Sequence, residues 1–297
     1  MPSGRAIVIT GASGLLGGAC CRYFSARGWD VRAVVRRPDR SRELEPHARG
    51  GIFRGVLPDA VDERAFAHAP SAVVHCAYAT DSQDLKRAAA INIDGTRTVR
   101  GLASAHHTGR FVFVSSIAAT AEAESFYARS KRQIEATLDR DRDLALRPGF
   151  IIGPGGLFAR LAETIRVRPF VPLLYGGRQE LQTVWLDDVC EAIEQALERE
   201  VTGVVHVAHP NPVPIRRFYQ AIALLVDRRC RFVRLPAGPL LLALRGAEKM
   251  GFHLPISSEN VLGLKHLRAI DVAPDLKRLG VAPRSFEESL TLVAKNG

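Results

Sequence analysis

The chain has no long hydrophobic run. Its most apolar late stretch, Pro239-Leu-Leu-Leu-Ala-Leu244, is far short of the ~20 residues that a membrane-spanning helix needs. A membrane partner is therefore not expected, and the stretch reads as a buried helix or a pocket wall. Met1-Pro-Ser-Gly-Arg5 leads straight into a strand-like run, without the parts of a secretory signal, so a cytoplasmic location is expected. Cysteine is scarce. Cys20, Cys21, Cys76, Cys190 and Cys230 are odd in number and lack Cys-x-x-Cys spacing. A disulfide framework is excluded, and reduced, buried thiols are expected. No metal-ligand spacing is present, so no metal is expected. Aromatics make up only 7% and do not interleave with basic residues. The net charge of +10 is spread over Arg36-Arg37, Arg216-Arg217, Arg228-Arg229, Arg231 and Arg234, which argues against a nucleic-acid surface. Repeats and low-complexity tracts are also missing.

What is present is an ordinary globular composition, 46% hydrophobic and 24% charged over 297 residues. That length buries a large core as one big domain or two unequal ones. Short apolar runs at 5–10, 31–35, 72–76, 110–115 and 143–147, with a weaker one at 51–55, alternate with helical patterns at 14–27, 84–107 and 125–140. This alternation predicts an α/β fold, a doubly wound parallel sheet with helices on both faces. Residues 1–150 read as a dinucleotide-binding domain. Residues 151–297 read as a smaller substrate lobe interleaved with the last strands. Helical periods fall near 186–199 and 215–227, with a strand at 203–207. A final helix near 285–295 is expected, capped by Ser285 with Glu288.

Three motifs occur in order. Thr10-Gly-Ala-Ser-Gly-Leu-Leu-Gly17 follows the apolar run Ala6-Ile-Val-Ile9; Phe111-Val-Phe-Val114 ends in Ser115-Ser116; Tyr127-Ala-Arg-Ser-Lys131 comes next. Gly11, Gly14 and Gly17 between a strand and a helix let backbone approach a pyrophosphate, with N–H groups of Ser13 and Leu15 at the helix start. Tyr127 and Lys131, four apart, share a helix face. A cation beside the ring favours the phenolate, whose free pKa is near ~10. Together these make a nucleotide-dependent redox site.

These stretches resemble the extended short-chain dehydrogenase/reductases, the group of nucleotide-sugar epimerases, dehydratases and dihydroflavonol-type reductases. So do Val31-Arg-Ala-Val-Val-Arg36, Val73-Val-His-Cys-Ala77, Asn92-Ile-Asp-Gly-Thr96, Leu146-Arg-Pro-Gly149, Ile152-Gly-Pro154 and Val184-Trp-Leu-Asp-Asp-Val189. The resemblance implies that Ser116 binds the substrate oxygen and Tyr127 transfers its proton. Lys131 tunes Tyr127 and holds the nicotinamide ribose, and Asn92 steadies Lys131. It also implies cofactor contacts from Leu57 (adenine), Cys76 and Ala77 (ribose and pyrophosphate), and Ser115, Pro148, Gly149 and Ile151 near the nicotinamide. Val56 stands where the family often keeps an adenine-binding Asp. After the second strand, Val35 is followed by Arg36-Arg37, where an acid would select a free ribose hydroxyl. Two guanidiniums suit a 2′-phosphate, so NADP is expected, with NAD the alternative.

Ten residues separate Ser116 from Tyr127, a shorter loop than nucleotide-sugar epimerases use to cover the sugar. Tyr175, Arg178, Gln182, Trp185, Arg216, Arg234 and His253 are substrate-lobe candidates, with Arg178 or Arg234 placed to grip a diphosphate. The leading reading is a carbonyl reductase or alcohol dehydrogenase acting on a small-molecule carbonyl or alcohol. The alternatives are a nucleotide-sugar epimerase or dehydratase, and a non-catalytic NADP-binding regulator. The last is disfavoured because Ser116, Tyr127 and Lys131 are all kept. A homodimer is compatible with the resemblance.

Overall fold

A computed structural model describes residues 5–80, 84–252 and 257–296. The first half supplies strands β1 (Ala6–Thr10), β2 (Asp30–Val35), β3 (Gly51–Val56), β4 (Ala60–Val61), β5 (Ala72–His75), β6 (Arg110–Val114) and β7 (Leu144–Pro148). It also supplies helices α1 (Leu15–Ala26), α2 (Leu85–Ala89), α3 (Gly95–Ala105) and α4 (Phe126–Glu135). The second half adds strands β8 (Phe150–Ile152), β9 (Phe170–Leu174), β10 (Glu180–Leu181), β11 (Thr183–Trp185), β12 (Gly203–Val207), β13 (Val213–Pro214) and β14 (Arg231–Leu235). Its helices are α5 (Gly156–Val167), α6 (Leu186–Glu198), α7 (Ile215–Leu225), α8 (Ala237–Lys249), α9 (Ser258–Lys265), α10 (Ala273–Leu279) and α11 (Phe286–Asn296).

The main sheet has the order β12-β7-β6-β5-β1-β2-β3-β4 and is parallel except for the β3–β4 edge. Strands covered on both faces must be apolar on both sides. Ile7 and Ile9 pack with α1 and α6, while Val8 faces Val99 and Ala103 of α3. β1 has β2 on one side and β5 on the other, so chain order reverses there. In such sheets the ligand crevice opens at the carboxyl ends of the strands beside that reversal.

Beyond β8 the chain builds a second core around Phe158, Leu173, Trp185, Phe218 and Phe286, and β12 returns to the main sheet beside β7. The capping box of α11 forms as expected: the Ser285 N–H donates to Glu288 at 2.8 Å and Ser285 Oγ accepts from the Glu288 N–H at 3.2 Å.

Two expectations are corrected. The helix foreseen over 125–140 ends at Glu135, because the chain turns there and Asp143 accepts the Asp139 N–H at 2.9 Å. The Pro239–Leu244 stretch is helical but not a buried helix: α8 buries Ala237 and Leu244 and leaves Leu242 76% exposed.

Candidate active site

The site begins at the glycine turn. Gly11 has φ +66°, and a Cβ there would lie 2.7 Å from the Ala77 Cα. Turn and β5 end are thereby held together. Ala12 N–H reaches the Val34 carbonyl at 3.4 Å, which places the turn beside the end of β2. Gly14 is the N-cap of α1 and carries no side-chain cap, and the first turn holds no acid. The first N–H groups of a twelve-residue helix thus face the crevice without a protein acceptor, an arrangement that fits an anionic pyrophosphate. Ser13 and Gly14 are exposed and Leu15 is half-buried. Leu15 also touches the next glycine turn, since a Cβ at Gly156 would lie 2.8 Å from its Cδ2. A Cβ at Gly17 would sit 2.7 Å from the Gly11 carbonyl carbon and 2.9 Å from the Ala12 Cα. Gly17→Ala is expected to cost about 1–3 kcal/mol by overpacking and to weaken NADPH binding, read by calorimetric titration.

Arg36 and Arg37 follow β2 and are both exposed. The Ser41 hydroxyl donates to the Arg37 carbonyl at 2.9 Å and fixes the bend. Asp39 pairs with Arg40 at 4.0 Å and not with either of them. Leu57 packs on α3, 2.8 Å from where a Gly95 Cβ would be. Cys76 and Ala77 follow β5, with the Cys76 N–H on the Thr10 carbonyl at 3.2 Å.

His75 is fully buried beneath this turn, between Thr10 Oγ1 at 2.7 Å and Thr96 Oγ1 at 3.1 Å. Thr96 donates to the Asn92 carbonyl at 2.5 Å, so it accepts from His75 Nε2–H, and Nδ1 accepts from Thr10. Burial, then the Lys131 charge, pushes His75 down to about 3. The unfolded chain takes up a proton near 6.5 and the folded chain resists it. Stability is therefore complete above about 6.5 and falls as pH drops toward about 3, by about 1.4 kcal/mol per unit. Urea midpoints measured from neutral pH to about 4 are expected to fall more steeply for the native chain than for His75→Gln.

The catalytic candidates gather at the ends of β6 and α4. Ser125 caps α4 by accepting the Ala128 N–H at 3.3 Å, and Glu259 of α9 accepts the Phe126 N–H at 2.5 Å. Ser116 Oγ accepts the Ala118 N–H at 3.2 Å. Burial around the Tyr127 hydroxyl pushes its pKa up, against a downward pull from the Ser116 hydroxyl; with the residue 38% exposed, water moderates that push. Lys131 is buried, donates to the Val114 carbonyl at 2.6 Å, and sits 3.9 Å from the Tyr78 ring centre and 6.0 Å from that of Tyr127. Burial lowers it to about 7, while the Cys76 sulfur and the Glu135 carboxylate pull it up.

Tyr78 escaped the sequence reading. Its ring meets Tyr127 edge-on at 5.3 Å, its hydroxyl is 2.5 Å from Ser130 Oγ, and it roofs the ammonium. The resemblance implies that Asn92 steadies Lys131 through a water; its side-chain amide accepts from the Ala79 N–H at 2.7 Å and donates to the Ala79 carbonyl at 3.0 Å. It thus pins the segment that carries Tyr78. The resemblance implies that Ser115 lies toward the nicotinamide; its hydroxyl donates to Glu135. Pro148 ends β7 and Gly149 follows it, while Ile151 lies within β8: Pro148 accepts the Ile117 N–H at 3.0 Å, and a Gly149 Cβ would collide with the Gln182 carbonyl at 2.5 Å.

On the lobe side, the loop after Ser116 is stitched to α9 and the chain beyond it. Glu124 pairs with Lys265 at 2.5 Å and His266 at 2.8 Å, and Glu122 with Arg268 at 3.2 Å. Gln182 bonds to the backbone of Ile270 and His209, and Trp185 Nε1 donates to Asp187 at 3.2 Å. Neither side chain is free for substrate. Tyr175, Arg178 and Arg234 are exposed at one end of the β9–β14 pair, and Arg216 lies 3.1 Å from where a Gly177 Cβ would be. His253 lies outside the described residues. No helix among the described residues is long and apolar enough to cross a membrane.

The fold is a doubly wound α/β sheet with a glycine turn at its switch point and a tyrosine–lysine pair on the helix after β6. Residues 7–208 match the NAD dependent epimerase/dehydratase family. The chain belongs to that family and is an NAD(P)-dependent enzyme of the short-chain dehydrogenase/reductase superfamily. It is 28% identical to a ceramide reductase of Caulobacter vibrioides, over 89% of this chain and 83% of that protein. It is 32% identical to a dTDP-4-dehydro-6-deoxy-D-allose reductase of a Streptomyces species, over 80% of this chain and 86% of the relative. The fold is shared with a UDP-glucose 4-epimerase of Thermotoga maritima, TM-score 0.75 at 19% identity, covering 98% of this chain and 97% of the other.

Proposed function

We propose that the protein is an NADP-dependent carbonyl reductase or alcohol dehydrogenase with a net redox reaction. The observation that carries this reading is the exposed Arg36-Arg37 pair beside the glycine turn, where two guanidiniums suit a 2′-phosphate. Ser13, Gly14 and Leu15 would hold the pyrophosphate, Leu57 the adenine, and Cys76, Ala77, Pro148, Gly149 and Ile151 the ribose and nicotinamide side. The cofactor, when bound, supplies the hydride. The chain's own residues do the rest. Ser116 orients the substrate oxygen, Tyr127 gives or takes its proton, and Lys131 provides the positive charge that favours the phenolate. The reductase relatives support the same direction.

A second reading, a nucleotide-sugar epimerase or dehydratase, is favoured by one observation: Arg178 and Arg216 flank the Gly176-Gly177 turn that follows β9, and Arg234 lies on the paired strand β14, residues of a chemistry suited to a diphosphate. The two readings differ in cofactor retention, because an epimerase keeps its nucleotide through both half-reactions and a reductase releases it. Mass spectrometry of dialysed protein is expected to find mostly nucleotide-free chain. Stoichiometric bound NAD, together with interconversion of two sugar-nucleotide isomers, would establish the second reading.

A further inference from the structure

Among the described residues, no carboxylate forms an ion pair with the Lys131 ammonium. Nζ donates to the Val114 carbonyl at 2.6 Å and lies between the rings of Tyr78 and Phe113, at 3.9 and 4.6 Å from their centres. The groups around it are few. From β5 and the segment after it come His75, Cys76 and Tyr78; from α4 come Tyr127 and Glu135. His75 stays neutral at any working pH. Among the described residues, Glu135 is the carboxylate whose charge acts on Lys131.

Glu135 follows Lys131 by four residues on α4, so both lie on the same helix face. It is 8% exposed and held from two directions. Arg147 of β7 donates to it through Nε at 2.8 Å and Nη2 at 2.5 Å, and the Ser115 hydroxyl donates to Oε1. Arg147 is itself backed by His206 at 3.3 Å, and His206 Nδ1 by Asp275 of α10 at 2.7 Å. This chain of hydrogen bonds holds the carboxylate in place.

We propose that Glu135 is a positioning residue: its clamped carboxylate supplies the counter-charge that keeps Lys131 an ammonium while Tyr127 exchanges its proton. The inference rests on the reading of Tyr127 and Lys131 given above. Burial lowers the amine, and with the Cys76 sulfur and the Glu135 carboxylate pulling the other way it comes to rest at about 7. Near neutral pH, half of the molecules then carry the charge that the phenolate needs. A further drop of about one unit would leave about one in ten charged at pH 7. The buried carboxylate opposes that drop, and Arg147 orients it through two hydrogen bonds.

The test is an NMR titration of the lysine side-chain amines in the cofactor-free protein, with Lys131 assigned through Lys131→Arg, alongside pH profiles of kcat. Glu135→Gln is expected to lower the Lys131 midpoint by about one unit or more, since the anion is lost and Arg147 stays. The alkaline limb of kcat should move down with it, with KM nearly constant. Arg147→Gln is expected to move the midpoint the opposite way. Ser115→Ala removes a hydrogen bond without changing charge and should leave it in place. The double variant Glu135→Gln/Arg147→Gln leaves neither member of the Glu135–Arg147 pair buried without its partner; it covers the case where a single variant does not fold, and it too should titrate below the native chain. An unmoved midpoint in these charge variants, even with a lowered melting temperature, would overturn the proposal and leave the pair a purely structural clamp. Near-native turnover in Tyr127→Phe would instead remove the reading on which it rests.

Discussion

Tyr127→Phe is expected to lower turnover by about 10²–10⁴-fold and to leave cofactor binding intact. The substitution keeps the ring, so the edge-on contact with Tyr78 at 5.3 Å and the start of α4 survive. Only the hydroxyl is lost. Lys131→Met is expected to damage both turnover and cofactor affinity, because the ammonium serves the tyrosine and the ribose together. It also removes the donor to the Val114 carbonyl, so a modest fall in stability should accompany it. Stopped-flow turnover and fluorescence titration of NADPH separate the two effects. Near-native turnover in Tyr127→Phe would assign the proton to another group.

Replacing Arg36 and Arg37 together with alanine is expected to weaken NADPH binding by about 1.5–3 kcal/mol for each charged hydrogen bond lost, with NADH binding little changed. Both side chains are exposed, so folding should not suffer. The fold-change between the two nucleotides is the readout. Equal affinity of the native chain for NADH and NADPH would remove the argument for the phosphate.

Much of this was legible in the sequence, and the reasons differ by region. The parallel sheet was readable because its strands are covered on both faces: Ile7, Val8 and Ile9 have nowhere polar to go, so they appear as a continuous apolar run. The glycine turn was readable because Gly11 and Gly17 meet backbone that no side chain could share. The lobe was less so. α8 looks like a core helix by composition, yet its leucines face outward on one side, and composition does not say which side. β9 and β14 are short edge strands whose pairing depends on tertiary contacts. Within the site, Tyr127 and Lys131 announced themselves by spacing. Glu135 carried the same four-residue signal and was readable in principle. His75 interrupts an apolar strand, but its role stayed hidden because its partners Thr10 and Thr96 belong to other elements. Tyr78 carried no signal, because its place over Lys131 depends on how Asn92 grips Ala79. The direction of the Ser115 hydroxyl was equally hidden, because the Glu135 that receives it lies twenty residues away.

The most direct test of the reductase reading follows the hydride. NADPH carrying deuterium at the transferable position would be incubated with the native chain and a panel of carbonyl compounds, including long-chain 3-oxo compounds and keto-sugar nucleotides. The account predicts an alcohol product carrying one deuterium on the former carbonyl carbon, with loss of the reduced-nicotinamide absorbance in equal amount and no such product from Tyr127→Phe. Interconversion of sugar-nucleotide isomers with the nucleotide retained and the absorbance unchanged would contradict it.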